Sequence, residues 1–202
     1  MTLALLIADA ATSIDDIGRH LDGLDAGERW RELAVLGRDA QRTLFEKAYA
    51  RPIGLDHFVN GHGACEEVIH DGLNTLPVPP PLRRFQKRFC RAPDDAGRLY
   101  GYNEGITRRV LGPGYFVAVA TRGRPTWESR GPVVIDYFVV PDGVVPDTWP
   151  RVIGNDRGLQ RFVYHQTRDF MRRVSQHVSI GAAFKRERPL DHYFVLCRRV
   201  RD

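Results

Sequence analysis

The sequence is poor in several features, and each scarcity excludes a class of protein. Three cysteines, Cys65, Cys90 and Cys197, are an odd number whose spacing fits no disulfide framework. We therefore predict reduced thiols and a cytoplasmic location. No apolar run approaches the roughly 20 residues that cross a bilayer, and the N-terminal segment lacks the basic lead of a signal peptide. We expect a soluble chain that is not secreted and has no membrane span.

Catalytic motifs are equally scarce. The four serines lie outside any G-x-S-x-G context. The sequence contains no H-E-x-x-H, no C-x-x-C and no glycine-rich phosphate loop of the G-x-x-x-x-G-K-[ST] type. These absences leave the enzyme class undefined and any cofactor unknown.

Arginine is abundant, and the basic residues are unevenly distributed. Residues 1–80 carry 7 basic and 13 acidic side chains, a balance of 7 − 13 = −6. Residues 81–202 carry 23 basic and 12 acidic side chains, a balance of 23 − 12 = +11. This asymmetry favours a basic face for nucleic acid or another acidic partner. A GC-rich genome would produce the same excess of arginine over lysine.

The segment "LRRFQKRFC", residues 82–90, is a second place where positive charge accumulates. Its phenylalanines, Phe85 and Phe89, have helical spacing, so we predict a short basic amphipathic helix. Arg84, Lys87 and Arg88 are then candidate anion-binding residues. In the alternative interpretation the phenylalanines pack on the core and the charged side chains are only solvated.

Helical patterns are clearest near the N-terminus. We predict one helix over about 13–22, with Ser13 as its N-cap, and a second over about 26–49 that follows Asp25. A third, long helix is predicted over about 157–177 from its apolar stripe. The chain is accordingly divided into an N-terminal helical segment, 1–50, and an α+β domain, 51–202, which together form one compact unit.

Short strands separated by turns follow in the middle of the chain. "RLYGY", "ITRRVL", "YFVAVAT" and "VVIDYFVV" have connections of which the first two are too short for a parallel crossover. "HYFVLCRRV" is a last strand. The predicted fold is α+β: a single antiparallel sheet, made of a meander of about four strands plus the C-terminal strand. A long helix packs on this sheet, and two helices precede it.

The segment "HFVNGHGACEEVIHD", residues 57–71, concentrates imidazole, thiol and carboxylate groups. Zinc and iron are bound by such ligands. The candidate metal ligands are His57, His62, Cys65 and His70. In a second interpretation, Cys65 with His62 or His70 is a nucleophile and its base, although the adjacent glutamates would raise the pKa of the thiol. A third interpretation treats the segment as a solvated loop.

One acidic residue interrupts an apolar strand. Alternation along "VVIDYFVV" places Asp136 on the same face as Val134 and Phe138. A buried carboxylate needs a charged or hydrogen-bonding partner, and the long helix offers Arg172, Arg173 or His177 in that role. If Asp136 and His177 meet, they form a candidate acid–base pair.

The sequence thus supports three hypotheses for function. The first is a module that binds a small or lipid-like molecule in a cleft between sheet and helix. Its candidate ligand-binding residues are Tyr102, Tyr115, Tyr137 and Phe170. The second is an enzyme that uses the 57–70 cluster or the Asp136/His177 pair. The third is an arginine-rich binder of nucleic acid or an acidic partner.

Overall fold

The structure, a computed structural model, describes residues 1–94 and 97–200. Eight antiparallel strands form a closed barrel in which each strand pairs with the next and the last pairs with the first. The predicted α+β fold with one open sheet is therefore wrong. The strands are β1 (Val68–Asn74), β2 (Arg84–Arg91), β3 (Arg98–Glu104), β4 (Phe116–Ala120), β5 (Val133–Asp136), β6 (Thr167–Arg173), β7 (Val178–Lys185) and β8 (Arg188–Arg198).

Eight short helices and one 3₁₀ turn, Pro80–Arg83, accompany these strands in the described residues. The helices are α1 (Leu3–Ala8), α2 (Ile14–Asp22), α3 (Ala26–Leu33), α4 (Arg38–Lys47), α5 (Asp56–Val59), α6 (Arg108–Leu111), α7 (Pro125–Glu128) and α8 (Gln160–Val163). Across the described residues, no helix combines the length and the apolar character needed to cross a membrane.

The predicted N-cap Ser13 is confirmed, and Asp25 caps the helix that follows it. The side chains of Ser13 and Asp25 each accept a hydrogen bond from the backbone three residues later, and each forms a complete capping box. The second predicted helix, however, is two helices, because the chain leaves α3 after Leu33 and re-enters α4 at Arg38. Gly37, a poor helix former, lies at this break.

Two segments that the sequence predicts as helices form strands in the structure. Residues 82–90 form the end of the 3₁₀ turn followed by β2, and the long helix over 157–177 is replaced by α8, β6 and a turn. Phe85 and Phe89 explain the first error, since residues four apart share a face in a helix and in a strand alike. "ITRRVL" was predicted as a strand but contains α6, whereas "HYFVLCRRV" lies largely within β8 as predicted.

The barrel carries three apolar clusters. One fills its interior and includes Phe89, Phe116 and Ile135. A second lies between the N-terminal helices and the outer face of β7, β8 and β1. A third covers the outer face of β3 and β4, where residues 140–152 pack over the sheet. The strands are thus buried on both faces over much of the barrel, which explains why their hydrophobic alternation is weak in the sequence.

The two ends of the barrel differ. The connections β1–β2, β3–β4, β5–β6 and β7–β8 gather at one end, which we call the mouth. The opposite end, which we call the plugged end, is closed by α5. The Phe58 ring of this helix is fully buried and lies 5.1 Å from the ring of Phe89. The carbonyl of Phe58 lies 2.9 Å from Nε2 of His70 on β1. These contacts close the barrel at the plugged end, so the mouth is its entrance.

Candidate functional site

A cavity of about 290 Å³ opens at the mouth of the barrel. This volume is at the lower end of the range for small-molecule pockets, about 300–1,000 Å³. Most of its lining surface is apolar, although Arg84, Glu104 and Arg108 also line it. The apolar lining residues include Leu76, Val78, Leu82, Leu111, Val163 and Leu190. We call this space the mouth cavity.

Four polar side chains line the inner part of the mouth cavity, and we call them the polar cluster. They are Lys87, Asn103, Tyr137 and Asp169. Each belongs to, or directly follows, a different strand at a position whose side chain points into the barrel, and all four are buried. Burial of a polar group is costly unless it is hydrogen-bonded, so four buried polar groups in contact need a specific explanation.

The lysine is the centre of the polar cluster. Its Nζ donates hydrogen bonds to Oδ1 of Asn103 at 2.9 Å, to Oδ2 of Asp169 at 3.2 Å and to the hydroxyl of Tyr137. The Tyr137 hydroxyl in turn donates to Asp169 at 3.2 Å. Asn103 is held by a hydrogen bond of 3.0 Å from its Nδ2 to the carbonyl of Gly114. All three ammonium hydrogens therefore have partners.

Burial sets the proton affinities of the polar cluster. Burial lowers the pKa of Lys87 and raises the pKa of Asp169. The attraction between the two charges opposes burial, because it raises the pKa of the lysine and lowers that of the aspartate. Burial also raises the pKa of Tyr137 well above its usual value, so this phenol stays protonated. Four aromatic rings, those of Phe85, Phe116, Tyr137 and Phe194, lie 4.9–5.6 Å from Lys87 Nζ. They add cation–π stabilisation to the charged form.

A larger groove, of about 1,110 Å³, runs along the outer surface between the α3–α4 connection and the β1–β2 connection. Its charged lining residues, among them Arg38, Arg83 and Arg84, are half-buried or exposed. Solvated charges of this kind select weakly for a ligand, whereas fully buried polar groups select strongly. The mouth cavity is therefore the better candidate site.

The predicted metal ligands build the plugged end of the barrel. His57 packs edge-on against Phe58, and Nδ1 of His62 lies 2.7 Å from the carbonyl of Val59. The thiol of Cys65 donates to the carbonyl of Val144 at 3.5 Å, while His70 contacts α5. Within residues 1–94 and 97–200, no three His, Cys, Asp or Glu side chains are grouped closely enough to hold a metal ion. The segment has a structural explanation in the plug.

Acid should destabilise the plugged end through its histidines. Burial lowers the pKa of His70 to about 4 and that of His57 to about 3, whereas an unfolded chain titrates near 6.5. Between these values the unfolded state binds more protons, so the free energy of unfolding falls as the pH falls. His70 alone should contribute up to about 3 kcal/mol, present in full above pH 6.5 and lost towards pH 4.

Urea unfolding measured at several pH values between 4 and 7 tests this expectation. The variant His70→Gln keeps a donor for the Phe58 carbonyl but cannot titrate, so its stability should depend less on pH than that of the wild type. Parallel pH profiles for the two proteins would contradict the assignment.

The predicted acid–base residues lie far apart. Asp136 ends β5 at the mouth and points outward, where it accepts hydrogen bonds from Arg168 at 3.0 Å and from the backbone of Phe138 at 2.9 Å. His177 lies in the β6–β7 connection at the plugged end, with Nδ1 3.4 Å from a guanidinium nitrogen of Arg198. The structure therefore does not bring Asp136 and His177 together. The partner of Asp136 is Arg168, a residue of the adjacent strand.

The predicted ligand-binding aromatics are distributed over both faces of the barrel wall. Tyr137 lines the mouth cavity. Tyr102 and Tyr115 point outward, where their rings lie 5.0 and 6.2 Å from the ring of Trp149. Phe170 also points outward, and its ring lies 5.1 Å from that of Phe184. Among these four residues, Tyr137 alone lines the mouth cavity in the described part of the chain.

The predicted anion-binding residues are separated by strand alternation. Lys87 points into the barrel, Arg84 is exposed at the mouth, and Arg88 forms a 2.9 Å ion pair with Glu67. The three do not form one basic cluster. Binding of nucleic acid or an acidic partner by the arginine-rich half stays a prediction.

Asn103 and Asp169 were not identified from the sequence. For the strand that carries Lys87 a usable signal exists in the two-residue period, because Phe85, Lys87 and Phe89 share one face of β2. The signal is weaker for Asp169, whose neighbours on the same face of β6 are Thr167 and Met171. A charged residue between two apolar ones on the same face of a strand indicates a buried polar group. Prediction of helices in both segments concealed this pattern.

Comparisons with protein-family models, with curated proteins and with solved structures return no match. The fold and the cavity therefore define the class to which the chain belongs. It is a closed antiparallel barrel of eight strands, a fold compatible with the binding of small ligands at its open end.

Proposed function

We propose that the protein binds a small, mostly apolar molecule with one polar end in the mouth cavity. The observation that supports this proposal is the combination of apolar walls with a buried polar cluster at the inner part of the same space. Ligand pockets typically have this composition, because apolar walls supply affinity and a few fixed polar groups supply orientation.

The orientation of such a ligand follows from the position of the polar cluster. Its apolar part would contact Val78, Leu111 and Leu190 at the entrance. Its polar atom would lie next to Lys87 and Tyr137, where an oxygen can accept a hydrogen bond from the ammonium in place of one of the bonds within the polar cluster. A cavity of about 290 Å³ favours a compact molecule over a long lipid chain.

Fluorescence titration with 2-naphthalenemethanol, and calorimetry with 1-decanol, test the proposal. We expect saturable binding of at least one probe with Kd below about 1 mM. Ala183 lines the mouth cavity, so Ala183→Phe should fill part of the space and raise Kd by about tenfold or more.

The matched control is Ala120→Phe. Ala120 is exposed at the end of β4, outside the mouth cavity. This variant adds the same ring to the surface and should leave Kd unchanged. The proposal is overturned if neither probe binds saturably to the wild type, or if both variants bind as tightly as the wild type.

A further inference from the structure

The amine of Lys87 differs from the other lysine amines of this chain. Lys47 and Lys185 are at the surface, where their Nζ atoms donate to backbone carbonyls, those of Asp9 and Thr12 for the first and that of Phe162 for the second. Lys87 is 2% exposed and lines the mouth cavity. Among the described residues it is the one lysine that lines this cavity.

We propose that Lys87 forms a covalent imine with an aldehyde or ketone that occupies the mouth cavity. This inference rests on the proposed function, because the carbonyl compound must first enter the cavity. It assigns the polar end of the ligand to a carbonyl group and gives the polar cluster a chemical role.

Attack on a carbonyl requires a neutral amine, and the cluster contains the group that can accept its proton. Asp169 Oδ2 lies 3.2 Å from Lys87 Nζ, and both side chains are buried. Transfer of one proton converts the ion pair into a neutral amine and a carboxylic acid. Burial favours this neutral pair, since it lowers the pKa of the lysine and raises that of the aspartate.

The cluster also contains a proton donor for the carbonyl oxygen. The Tyr137 hydroxyl is hydrogen-bonded to both Lys87 and Asp169. It can pass a proton to an oxygen bound at the amine and recover one from the aspartic acid. Lysine, tyrosine and aspartate thus form a continuous path for protons at the site where the carbon–nitrogen bond would form.

The reaction balances without an oxidant or a reductant. The lysine nitrogen forms a bond to the carbonyl carbon as the carbon–oxygen π bond breaks. The oxygen gains a proton from the Tyr137–Asp169 path and the nitrogen returns one to it, which gives a carbinolamine. Protonation of the hydroxyl by Asp169 then releases water as the carbon–nitrogen double bond forms. The products are a protonated imine, the Asp169 carboxylate and one water.

The protonated imine would remain stable in this site. It carries the single positive charge that the ammonium had, and the carboxylate of Asp169 stays beside it. The four aromatic rings around Lys87 Nζ would also lie around this cation. Water is needed to hydrolyse an imine, and most of the cavity lining is apolar.

Reductive trapping tests the inference. The wild-type protein is incubated with 2-naphthaldehyde and sodium cyanoborohydride at neutral pH, and the product is analysed by intact mass and peptide mapping. We expect one fast lysine adduct per chain, whose mass equals that of the aldehyde minus one oxygen, and peptide mapping counts label on the Met1 α-amine separately. Labelling at Lys87 should be at least about tenfold faster than at Lys47 or Lys185, because only the buried amine is activated.

The internal comparison of the three lysines does not depend on the folding of a variant. Lys87→Arg adds a second measurement: it keeps a positive charge but has no nucleophilic amine, so the fast adduct should disappear. Lys185→Arg is the matched control and should retain it. Equal labelling of all three lysines in the wild type would overturn the inference.

The alcohol 2-naphthalenemethanol separates failure of the imine from failure of the cavity. If the alcohol binds and Lys87 is not labelled faster than the surface lysines, the imine is excluded and the proposed function stands. If neither 2-naphthalenemethanol nor 1-decanol binds and no Lys87 adduct forms, both are overturned. A fast adduct at Lys87 that Ala183→Phe suppresses supports both.

Discussion

Asp169→Ala is expected to lower the free energy of unfolding by about 3–5 kcal/mol, because it leaves a buried charge without its partner. Lys87 Nζ would keep its hydrogen bonds to Asn103 and Tyr137 but would lose the 3.2 Å carboxylate contact. The buried lysine must then either hold an uncompensated charge or release its proton. Urea unfolding followed by tryptophan fluorescence measures the loss.

The pH dependence of this loss gives a second criterion. Burial lowers the pKa of Lys87 in the folded state, so above that pKa the unfolded chain binds the extra proton until about pH 10.4. Stability therefore rises with pH across this window. Asp169 raises the pKa of Lys87, so its removal lowers that pKa further. The stability of Asp169→Ala should therefore rise more steeply with pH than that of the wild type, and its deficit should shrink as the pH is raised towards about 10.

Two further variants separate loss of the ion pair from loss of packing. The double variant Lys87→Met/Asp169→Leu removes both charges and should recover most of the stability. Asp39→Ala removes a carboxylate that is almost fully exposed and 3.8 Å from Arg42, so it should have almost no effect. A double variant as unstable as Asp169→Ala would show that the charge pair is not the cause.

Phe58→Ala is expected to cost about 3–5 kcal/mol, the usual range for removal of a buried aromatic ring. Phe58 is fully buried at the plugged end, 5.1 Å from Phe89 and 5.9 Å from His70 between ring centroids. Its removal would leave a void between α5 and the barrel interior that the closed strands cannot collapse to fill.

Urea unfolding of Phe58→Ala and Phe162→Ala compares the same substitution at a buried and an exposed position. Phe162 is 67% exposed, so its replacement should change stability little. Phe58→Leu refills much of the space and should fall between the two. A loss below about 1 kcal/mol for Phe58→Ala would contradict the assignment of α5 as the plug.

The local elements at the N-terminus are the part of the fold that sequence reasoning predicted best. Ser13 and Asp25 are followed three residues later by acidic residues that complete their capping boxes. These interactions involve neighbours in the chain, so their signal is contained in a few adjacent letters. β8 was predicted for a related reason, since its apolar run is long enough to identify a strand locally.

At the candidate site, two residues named from the sequence line the mouth cavity, but the structure places them there for reasons other than those predicted. Lys87 was a candidate because of its basic neighbours, and Tyr137 because it is aromatic, whereas both belong to the polar cluster through their inward position. Asp169 was not predicted as a site residue, because its segment was predicted to be a helix. The partner of Lys87 is 82 positions away along the chain, and no local pattern contains that contact.

The sequence by itself determined the helix caps, the last strand and the composition from which a buried polar cluster can be made. Closure of the barrel was decided only in three dimensions. The pairing of β1 with β8 joins His70 to Arg198, and strand pairing at that separation leaves no periodic signal in either segment. Alternation along a strand decides which face of the sheet a side chain occupies. Closure of the curved sheet then makes one face the interior of the barrel, and this brings Lys87 and Asp169 together inside it.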